Sequence, residues 1–436
     1  GKLLPPKLGL LSIVVDAVLG AEGDAGRKVF FVPISIGYER LVEERSYVHE
    51  LSGGEKTKED VSGLLRAAES ALGRYGRLNV QFGELLTLDG VLQEIGSDSN
   101  TLERLTPAKR RALVTRLAYR VMNEINRVTA VTPSALVAAA LLTHGKRGLP
   151  HTELVARCER IAAVLHGKGA RFAPSLIASS DPFALRHEAI REALELLFRA
   201  GHVEAHRPGV PAQGKKRGGQ PGHDAVYVVP DLERISLDIA KNLVVHFFVT
   251  RAMIATPLAA TGETPIDPAL LAERALALSR LFKYEFMFRA DAPFDAIFAE
   301  TLDAMERDGQ VVRDGAGNVR LAPEGEPRER ALLHVAMVRS FVEGYRATAR
   351  ALAALLRGPL APKDLVKRAL TTGERMFLAG EIASREAVSR PVIENALLAF
   401  ADQGYVDRDD GKYVLPESYA SPDAVRTIEA RIASYL

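Results

Sequence analysis

Residues 29–40 read VFFVPISIGYER, and this stretch decides how the first part of the chain is interpreted. Its first eight residues form an apolar run of strand length, rich in β-branched side chains, which predicts a central strand covered on both faces. Pro33 removes a backbone donor, so it is tolerated only near the carboxyl end of such a strand. Ligands of open α/β sheets bind at that end, and Ser35, Tyr38 and Glu39 cluster there. The pattern predicts a binding site, and a buried strand with an ordinary bulge is the alternative.

The segments on either side of this stretch predict an α/β layer. Residues 8–19 are almost wholly apolar and predict a buried helix. Thr57 and Asp60 match the capping box of a helix start, and an apolar stripe at helical spacing comes after them. Residues 78–82 then alternate apolar and polar side chains, as a half-buried strand does. Strand, helix and strand in this order predict a parallel βαβ unit.

The rest of the chain predicts helices and short hairpins. Thr106 and Thr132 each precede a proline, which is typical of an N-cap followed by the first helical position. Farther on, a helix that ends near a glycine is followed by two short strands and a proline, and this pattern occurs at Gly201, Gly309 and Gly404. We therefore expect a partial α/β domain and then a mostly helical region with three winged-helix-like helix–hairpin units. The predicted domains are residues 1–105, 106–262, 263–345 and 346–436.

Composition narrows the classes of function. The 436 residues carry 57 Lys and Arg against 55 Asp and Glu, a net charge of +2, which argues against a protein that coats nucleic acid through bulk charge. The single cysteine, Cys158, excludes an intramolecular disulfide and a cysteine-cluster zinc site, and we expect it to be a small core residue. No run of 18 uncharged apolar residues occurs, so we expect no membrane-spanning helix, whereas contact with a membrane surface stays possible. The opening at Gly1, without a signal-peptide pattern, predicts a piece of a longer polypeptide.

Two motifs are best explained as ordinary structure. Residues 51–55 read LSGGE, as in the signature of ATP-binding cassettes, but no Gly-Lys pair is followed by the Ser or Thr of a P-loop. His202 and His206 have a spacing that would hold zinc on a helix. They lie in a predicted strand, where the same spacing separates them by about 13 Å. We expect both histidines to be exposed on a hairpin, and we expect no metal site.

Five strings together resemble a known family. Residues 32–50, VPISIGYERLVEERSYVHE, resemble the fourth conserved block of the bacterial membrane-associated glycerol-3-phosphate acyltransferases. Residues 1–11, GKLLPPKLGLL, resemble the end of the third block of that family and the segment directly after that block. Three shorter strings match in the expected order, NVQFGE at 79–84, KNLVVHFF at 241–248 and ENAL at 394–397.

The resemblance implies transfer of a fatty acyl group to the 1-hydroxyl of sn-glycerol 3-phosphate, the first step of phospholipid synthesis. The chemistry of the family rests on a His-x-x-x-x-Asp pair, with His as general base and Asp holding the imidazole. None of the ten histidines here has Asp five positions later; the nearest is His187 with Glu192. We therefore expect no catalytic residue in this chain and no turnover by the chain alone. The substrate-binding residues that the resemblance implies are Gly1, Lys2, Pro33, Ser35, Tyr38 and Glu39.

The resemblance also implies the partners. It implies acyl-CoA or acyl carrier protein as co-substrate, no cofactor, no nucleic acid, and a peripheral place on the cytoplasmic face of the inner membrane. Two alternatives stay open. One is a related acyltransferase that uses dihydroxyacetone phosphate or lysophosphatidate, and the other is a non-enzymatic tandem winged-helix binding module. The latter would need a basic recognition helix, and none with clustered Lys and Arg is evident.

Overall fold

The computed structural model describes residues 2–3, 5–21, 29–39, 44–54, 76–94, 106–207, 222–288 and 292–436. These residues form a mixed α+β structure in which helices predominate and the strands are short. Gly1 and the helix predicted from Thr57 onward lie outside the described residues.

The N-terminal region combines three helices with two small antiparallel strand pairs. Its elements are α1 (Leu8–Ala21), β1 (Phe30–Phe31), β2 (Ile34–Tyr38), α2 (Glu44–Leu51), β3 (Leu78–Phe82), β4 (Leu86–Thr87) and α3 (Leu88–Glu94). Strand β1 pairs with β4, and β2 pairs with β3. Helix α1 forms where the sequence predicts it, and Val15 and Val18 enter a core with α3 and the next helix. The opposite side of α1 is exposed at Leu10 and Ile13, so the helix is buried on one face only.

Two expectations for this region are wrong. Strands β2 and β3 pair antiparallel, with Ile34 opposite Phe82, instead of parallel as in a βαβ unit. The apolar run that starts at residue 29 is also not one strand, because Pro33 separates β1 from β2. Proline has no backbone donor, which interrupts a ladder at that position. Its carbonyl instead accepts a hydrogen bond from the Gly83 amide at 2.8 Å.

The rest of the described chain is mostly helical. Its helices are α4 (Pro107–Val128), α5 (Pro133–Leu142), α6 (His151–His166), α7 (His187–Ala200), α8 (Arg234–Lys241), α9 (His246–Ala260), α10 (Pro268–Leu281), α11 (Phe294–Arg307), α12 (Glu326–Ala351), α13 (Pro362–Leu378), α14 (Arg390–Asp402) and α15 (Pro422–Ala433). The two predicted N-caps are confirmed, since the Thr106 side chain accepts from the Lys109 amide and that of Thr132 accepts from the Ala135 amide. Each cap satisfies an amide that the first helical turn leaves unpaired.

Short strands lie between these helices. They are β5 (Ala130–Val131), β6 (Gly148–Pro150), β7 (Arg171–Phe172), β8 (Ile177–Ala178), β9 (Asp181–Leu185), β10 (Glu204–His206), β11 (Val226–Val228), β12 (Val311–Arg313), β13 (Val319–Leu321), β14 (Asp407–Asp409) and β15 (Lys412–Val414). Except for β5 and β7, which pair in parallel, all of the strand pairs among the described residues are antiparallel.

One order of elements occurs three times: helix, short extended segment, two helices, hairpin. The first copy is α5, β6, α6, α7, β10 and β11, with β7, β8 and β9 inserted between α6 and α7, and β11 pairs with both β10 and β6. In the second copy, Ile266 precedes α10 and α11, and it pairs with Val319 of the β12–β13 hairpin. In the third, Leu360 precedes α13 and α14, and it pairs with Tyr413 of the β14–β15 hairpin. The extended segment thus always joins the last strand of the hairpin.

The predicted glycines are confirmed at the helix end before each hairpin. Gly201, Gly309 and Gly404 have φ of +88°, +68° and +68°, a left-handed conformation that favours glycine. The residue after each glycine donates its amide to a carbonyl five positions back, at 3.0 Å for His202, 2.8 Å for Gln310 and 2.9 Å for Tyr405. This is the Schellman arrangement, and it turns the chain from the helix into the first strand.

The described helical region contains three large buried apolar cores and one small cluster around Met376 and Val388. One lies in the first copy, from Val131 to Phe248, with Leu333 and Met337 of α12 packed into it. A second joins α9, α12 and the third copy, and a third lies between α9 and the second hairpin. Among the described residues, no single helix is both long and apolar enough to span a membrane; only Asp231–Lys241 and His246–Ala260 together satisfy both conditions, across a bend of 108°.

Candidate functional site

The inner face of β2 is built into the protein. Pro33, Ser35 and Gly37 are buried. The Ser35 hydroxyl lies 2.9 Å from the Thr129 hydroxyl, just beyond the end of α4. Thr129 in turn donates to the Ile125 carbonyl at 2.7 Å, so Ser35 is the donor to Thr129. Both hydroxyl groups therefore have a hydrogen-bond partner within the protein, and the side chain of Ser35 is directed toward the end of α4 rather than solvent.

The outer face of β2 and β3 is apolar and open. The antiparallel register places Ile34 opposite Phe82, Ile36 opposite Val80 and Tyr38 opposite Leu78, all on the same side. These six side chains, which we call the ribbon face, are all exposed, from 40% for Ile34 to 59% for Phe82. Scattered exposed apolar residues are normal, but three adjacent cross-strand pairs form a continuous patch. Continuous exposed apolar patches are typical of surfaces that bind another molecule or segment.

Glu39 follows β2 and is held by Arg77. The Arg77 amide donates to a Glu39 carboxylate oxygen at 3.0 Å, and the Glu39 amide donates to the Arg77 carbonyl at 3.2 Å. Burial raises the pKa of Glu39, and the hydrogen bond and charge of Arg77 oppose that rise. Gly76 has φ of +76°, and a Cβ there would lie 2.3 Å from the carboxylate, so only glycine fits beside it. The Arg77 guanidinium also reaches Glu192 of α7 at 3.2 Å.

Lys2 lies among the helical elements. Its amide donates to the Asn242 carbonyl at 2.9 Å, and its ammonium forms an ion pair with Glu285. Asn242 follows α8, and Glu285 follows α10. The predicted binding residues therefore occupy three environments: Pro33 and Ser35 on the inner face of β2, Tyr38 and Glu39 at its end, and Lys2 at the helices.

The environment of His202 differs from the one predicted from the sequence. We expected it to be exposed, but it is only 8% exposed and lies between two carboxylates. Its Nε2 is 2.9 Å from Glu44 of α2, and its Nδ1 is 2.8 Å from Glu233. Burial lowers its pKa, but the hydrogen bonds and charges of Glu44 and Glu233 outweigh this and raise the pKa above its ordinary value. His206 is exposed as expected and lies 3.3 Å from Glu204.

The partly buried His246 was also missed, although it belongs to the string at 241–248. Its Nε2 donates to the Asn126 carbonyl at 2.8 Å, because a carbonyl can only accept. Burial holds the pKa of His246 well below its ordinary value, so the ring is neutral at pH 7. The bond ties the start of α9 to the end of α4. The signal in the sequence was the family resemblance of the string at 241–248, and that resemblance assigned no role to His246.

Other sequence candidates are structural. The LSGG residues form the end of α2, where the Gly54 amide donates to the His49 carbonyl at 2.9 Å. His187 pairs with Glu159 at 2.9 Å, and Glu192 pairs with Arg77, so these two residues of α7 have separate partners. Cys158 is buried in the core as expected. In the part of the chain that the structure describes, no group of three His, Cys, Asp or Glu side chains could hold a metal ion.

Comparison with known proteins identifies one matching family and several similar proteins. The pattern of a family described as "Glycerol-3-phosphate acyltransferase C-terminal region" matches residues 47–409. A protein of Mycobacterium tuberculosis (strain ATCC 25618 / H37Rv) named "Putative acyltransferase plsB1" is 28% identical over 438 residues, which cover 99% of this chain and 65% of that protein. A protein of the same name from Mycobacterium bovis gives the same values.

A more distant relative comes from another genus. A "Glycerol-3-phosphate acyltransferase" of Pseudomonas putida (strain W619) is 25% identical over 418 residues, which cover 94% of this chain and 47% of that protein. The chain therefore spans less than two thirds of the length of each of these relatives.

Proposed function

The chain belongs to the family described as glycerol-3-phosphate acyltransferase C-terminal region, and we propose that it is part of a glycerol-3-phosphate O-acyltransferase. The observation that carries this proposal is the match of the family pattern over residues 47–409. In the proposed reaction, the 1-hydroxyl oxygen of sn-glycerol 3-phosphate attacks the thioester carbonyl of acyl-CoA or acyl-ACP. The new ester bond forms, the C–S bond breaks, and the hydroxyl proton passes through a general base to the departing thiol.

No histidine of this chain has an aspartate five positions later, so none of them fits the general base of the family. In the proposal, the His-x-x-x-x-Asp pair belongs to the portion of the longer relatives that has no counterpart here. The ribbon face supports this division. A continuous apolar surface on a two-stranded ribbon fits a layer that completes its cover with another segment of the same domain.

Gly1, Lys2, Pro33, Ser35, Tyr38 and Glu39 stay our candidates for the substrate-binding wall. Tyr38 and Glu39 have the strongest geometric support, since they lie at the end of β2 where the ribbon face meets solvent. Ser35 is engaged with Thr129, so a contribution from it would come through the placement of the strand. The donor thioester is the co-substrate, and the proposal includes no cofactor.

We propose that the three repeated copies are winged-helix-type units. The support is their common order of elements, with the extended segment paired to the last strand of each hairpin. The helix before each hairpin, α7, α11 or α14, carries more acidic than basic residues, which disfavours nucleic-acid binding. The division at 106–262, 263–345 and 346–436 is retained as a proposal, although α12 spans the last boundary.

A peripheral position on the cytoplasmic face of the inner membrane is likewise proposed. Long-chain acyl products partition into lipid, and such a position would deliver the product directly to the bilayer. Flotation with anionic phospholipid vesicles tests this placement. Recovery of the extended polypeptide in the dense, lipid-free fraction would contradict it.

The experiment that tests the function compares two polypeptides. One is the 436-residue chain, and the other is the same chain preceded by its encoded upstream sequence. With labelled palmitoyl-CoA and glycerol 3-phosphate, we expect acyl transfer from the extended polypeptide and none from the chain alone. Turnover by the chain alone would show that it contains the acid–base pair. Competition among glycerol 3-phosphate, dihydroxyacetone phosphate and lysophosphatidate then decides the acceptor.

A further inference from the structure

A groove between α6 and α12 is lined by three arginines. Arg157 and Arg160 come from α6, and Arg330 comes from the start of α12. The groove has a volume of about 390 Å³, which falls in the range of small-molecule sites. None of our candidates for the substrate-binding wall lines it. Three guanidinium groups in one groove repel one another, so the way in which each is compensated decides what the groove can bind.

Arg160 is compensated within the protein. It pairs with Glu153 of α6 at 2.8 Å and with Glu329 of α12 at 3.4 Å. Both carboxylates also line the groove. They are engaged with Arg160, which leaves the charges of Arg157 and Arg330 to be explained.

Arg157 has neutral hydrogen-bond partners. Its Nη2 donates to the Thr143 carbonyl at 2.8 Å and to the Thr143 hydroxyl at 3.1 Å, and its Nε donates to the Ala140 carbonyl at 3.4 Å. These oxygens lie at the end of α5, and the negative end of that helix takes up part of the charge. Burial and the charge of Arg160 lower the pKa of Arg157, as expected for a cation without a carboxylate directly beside it.

Arg330 has an unused donor. Its Nε is buried and has no hydrogen-bond partner among the described residues. The carboxylate of Glu326 lies 3.8 Å from this atom, beyond hydrogen-bond distance. A buried N–H without an acceptor costs free energy, so an oxygen atom that entered the groove beside Arg330 would be stabilised there.

The groove also has an apolar wall. Ile161 of α6 and Leu333 of α12 are buried in it, whereas Leu332 is 38% exposed. Guanidinium donors match the oxygens of carboxylate and phosphate groups. A wall of aliphatic side chains favours an apolar group attached to such an anion.

We propose that this groove binds a small organic oxyanion, a carboxylate or phosphate that carries an apolar group. Arg157 supplies the charge that no carboxylate balances directly, Arg330 donates through Nε, and the apolar group lies against Leu332. The inference is independent of the proposed reaction, because it uses only contacts within the helical region.

The test is isothermal titration calorimetry of the 436-residue chain with phenyl phosphate, benzoate, inorganic phosphate and phenol. We expect saturable binding of at least one of the two aromatic anions, and the tighter of them identifies the anionic group. Inorganic phosphate should bind about tenfold more weakly than phenyl phosphate because it lacks the apolar contact, and phenol should not bind. Absence of saturable binding of both aromatic anions at millimolar concentration, or equal binding of phenol, would overturn the proposal.

Variants locate the binding in the groove. Arg157→Met and Arg330→Met should each weaken the binding of the preferred anion about tenfold, because each removes a charged donor. Glu329→Gln removes a carboxylate that competes for Arg160 and should tighten binding about threefold or more, a gain that loss of folding cannot produce. The matched control is Arg191→Met, since Arg191 also pairs with two glutamates but lies on α7. Equal losses in Arg330→Met and Arg191→Met, or an unchanged affinity in Glu329→Gln, would overturn the site.

Discussion

The ribbon at residues 34–38 and 78–82 and the three helix–hairpin copies use short antiparallel strands in opposite ways. In each copy, the hairpin packs on its own helices, and residues such as Tyr227, Val319 and Tyr413 enter a core. The ribbon buries only its inner face and leaves its outer face open. A two-stranded ribbon is marginal by itself and gains stability from packing. The hairpins are therefore covered by helices, some of them from a neighbouring copy, whereas the ribbon is covered on its inner face only.

The largest expected difference concerns two phenylalanines. Phe400 of α14 is fully buried and contacts Tyr345, whereas Phe82 is more than half exposed on the ribbon face. Phe400→Ala should lower the free energy of unfolding by about 3–5 kcal/mol through lost burial and a cavity. Phe82→Ala should change it by less than about 0.5 kcal/mol. Urea denaturation of the 436-residue chain measures both, and a large loss in Phe82→Ala would show that the ribbon face is covered in this chain.

The next effect concerns the contact between the two regions. The imidazolium of His202 bridges Glu44 of the N-terminal region and Glu233. Because the pKa of His202 is raised above 6.5, its contribution is complete below pH 6.5 and is lost as the pH rises through the higher folded-state pKa. We expect about 1–3 kcal/mol from these charged hydrogen bonds.

The pH dependence of unfolding tests this contact. Relative to the unmodified chain, His202→Gln should be least stable near pH 6, and the difference should shrink toward pH 9. His206→Gln, at an exposed pair, is the matched control and should show little dependence. A deficit in His202→Gln that stays constant with pH would mean that the charge of His202 contributes nothing.

A smaller effect is expected at the glycine that starts each hairpin. Gly309→Ala has room for the methyl group but forces a left-handed φ of +68° on alanine, at a cost of about 1–2 kcal/mol. Gly315 lies in the turn of the same hairpin, has open space and carries no such φ. Gly315→Ala should therefore be neutral or slightly stabilising by thermal unfolding. Equal melting temperatures for the two variants would contradict the capping role.

The smallest effect is expected on the inner face of the ribbon. Ser35→Ala removes the hydrogen bond to Thr129, while Thr129 keeps its bond to Ile125, so the loss should be about 0.5–1.5 kcal/mol. The exposed Ser180→Ala serves as the control. If Ser35→Ala leaves stability unchanged but lowers acyl transfer by the extended polypeptide, Ser35 contacts substrate instead of supporting the strand.

Local patterns predicted the helix caps and the glycine turns well because their determinants are close in sequence. The side chains of Thr106 and Thr132 each accept a hydrogen bond from the amide three residues later. The amide that follows Gly404 donates to a carbonyl five positions back. The direction of pairing between β2 and β3 could not be read in this way. Alternation of apolar and polar residues states which face is buried, but it is the same for parallel and antiparallel neighbours.

Long-range polar contacts were equally invisible in the sequence. His202 meets Glu44, which is more than 150 residues away, and neither side chain has a local pattern that announces burial. Lys2 and Glu285 are farther apart still. The string that contains Lys2 was recognised through family resemblance, whereas Glu285 lies in none of the five strings, and only the structure shows their contact.

The amino-acid order alone determined the helix caps, the left-handed glycines, the single buried thiol and the absence of a His-x-x-x-x-Asp pair. Those features depend on residue type and short spacing, which a chain carries in any conformation. Only the tertiary structure decided the antiparallel ribbon with its open apolar face, the carboxylates around His202 and the ion pair between Lys2 and Glu285. Each of these depends on which distant segments exclude water from one another, and that is settled when the whole chain packs.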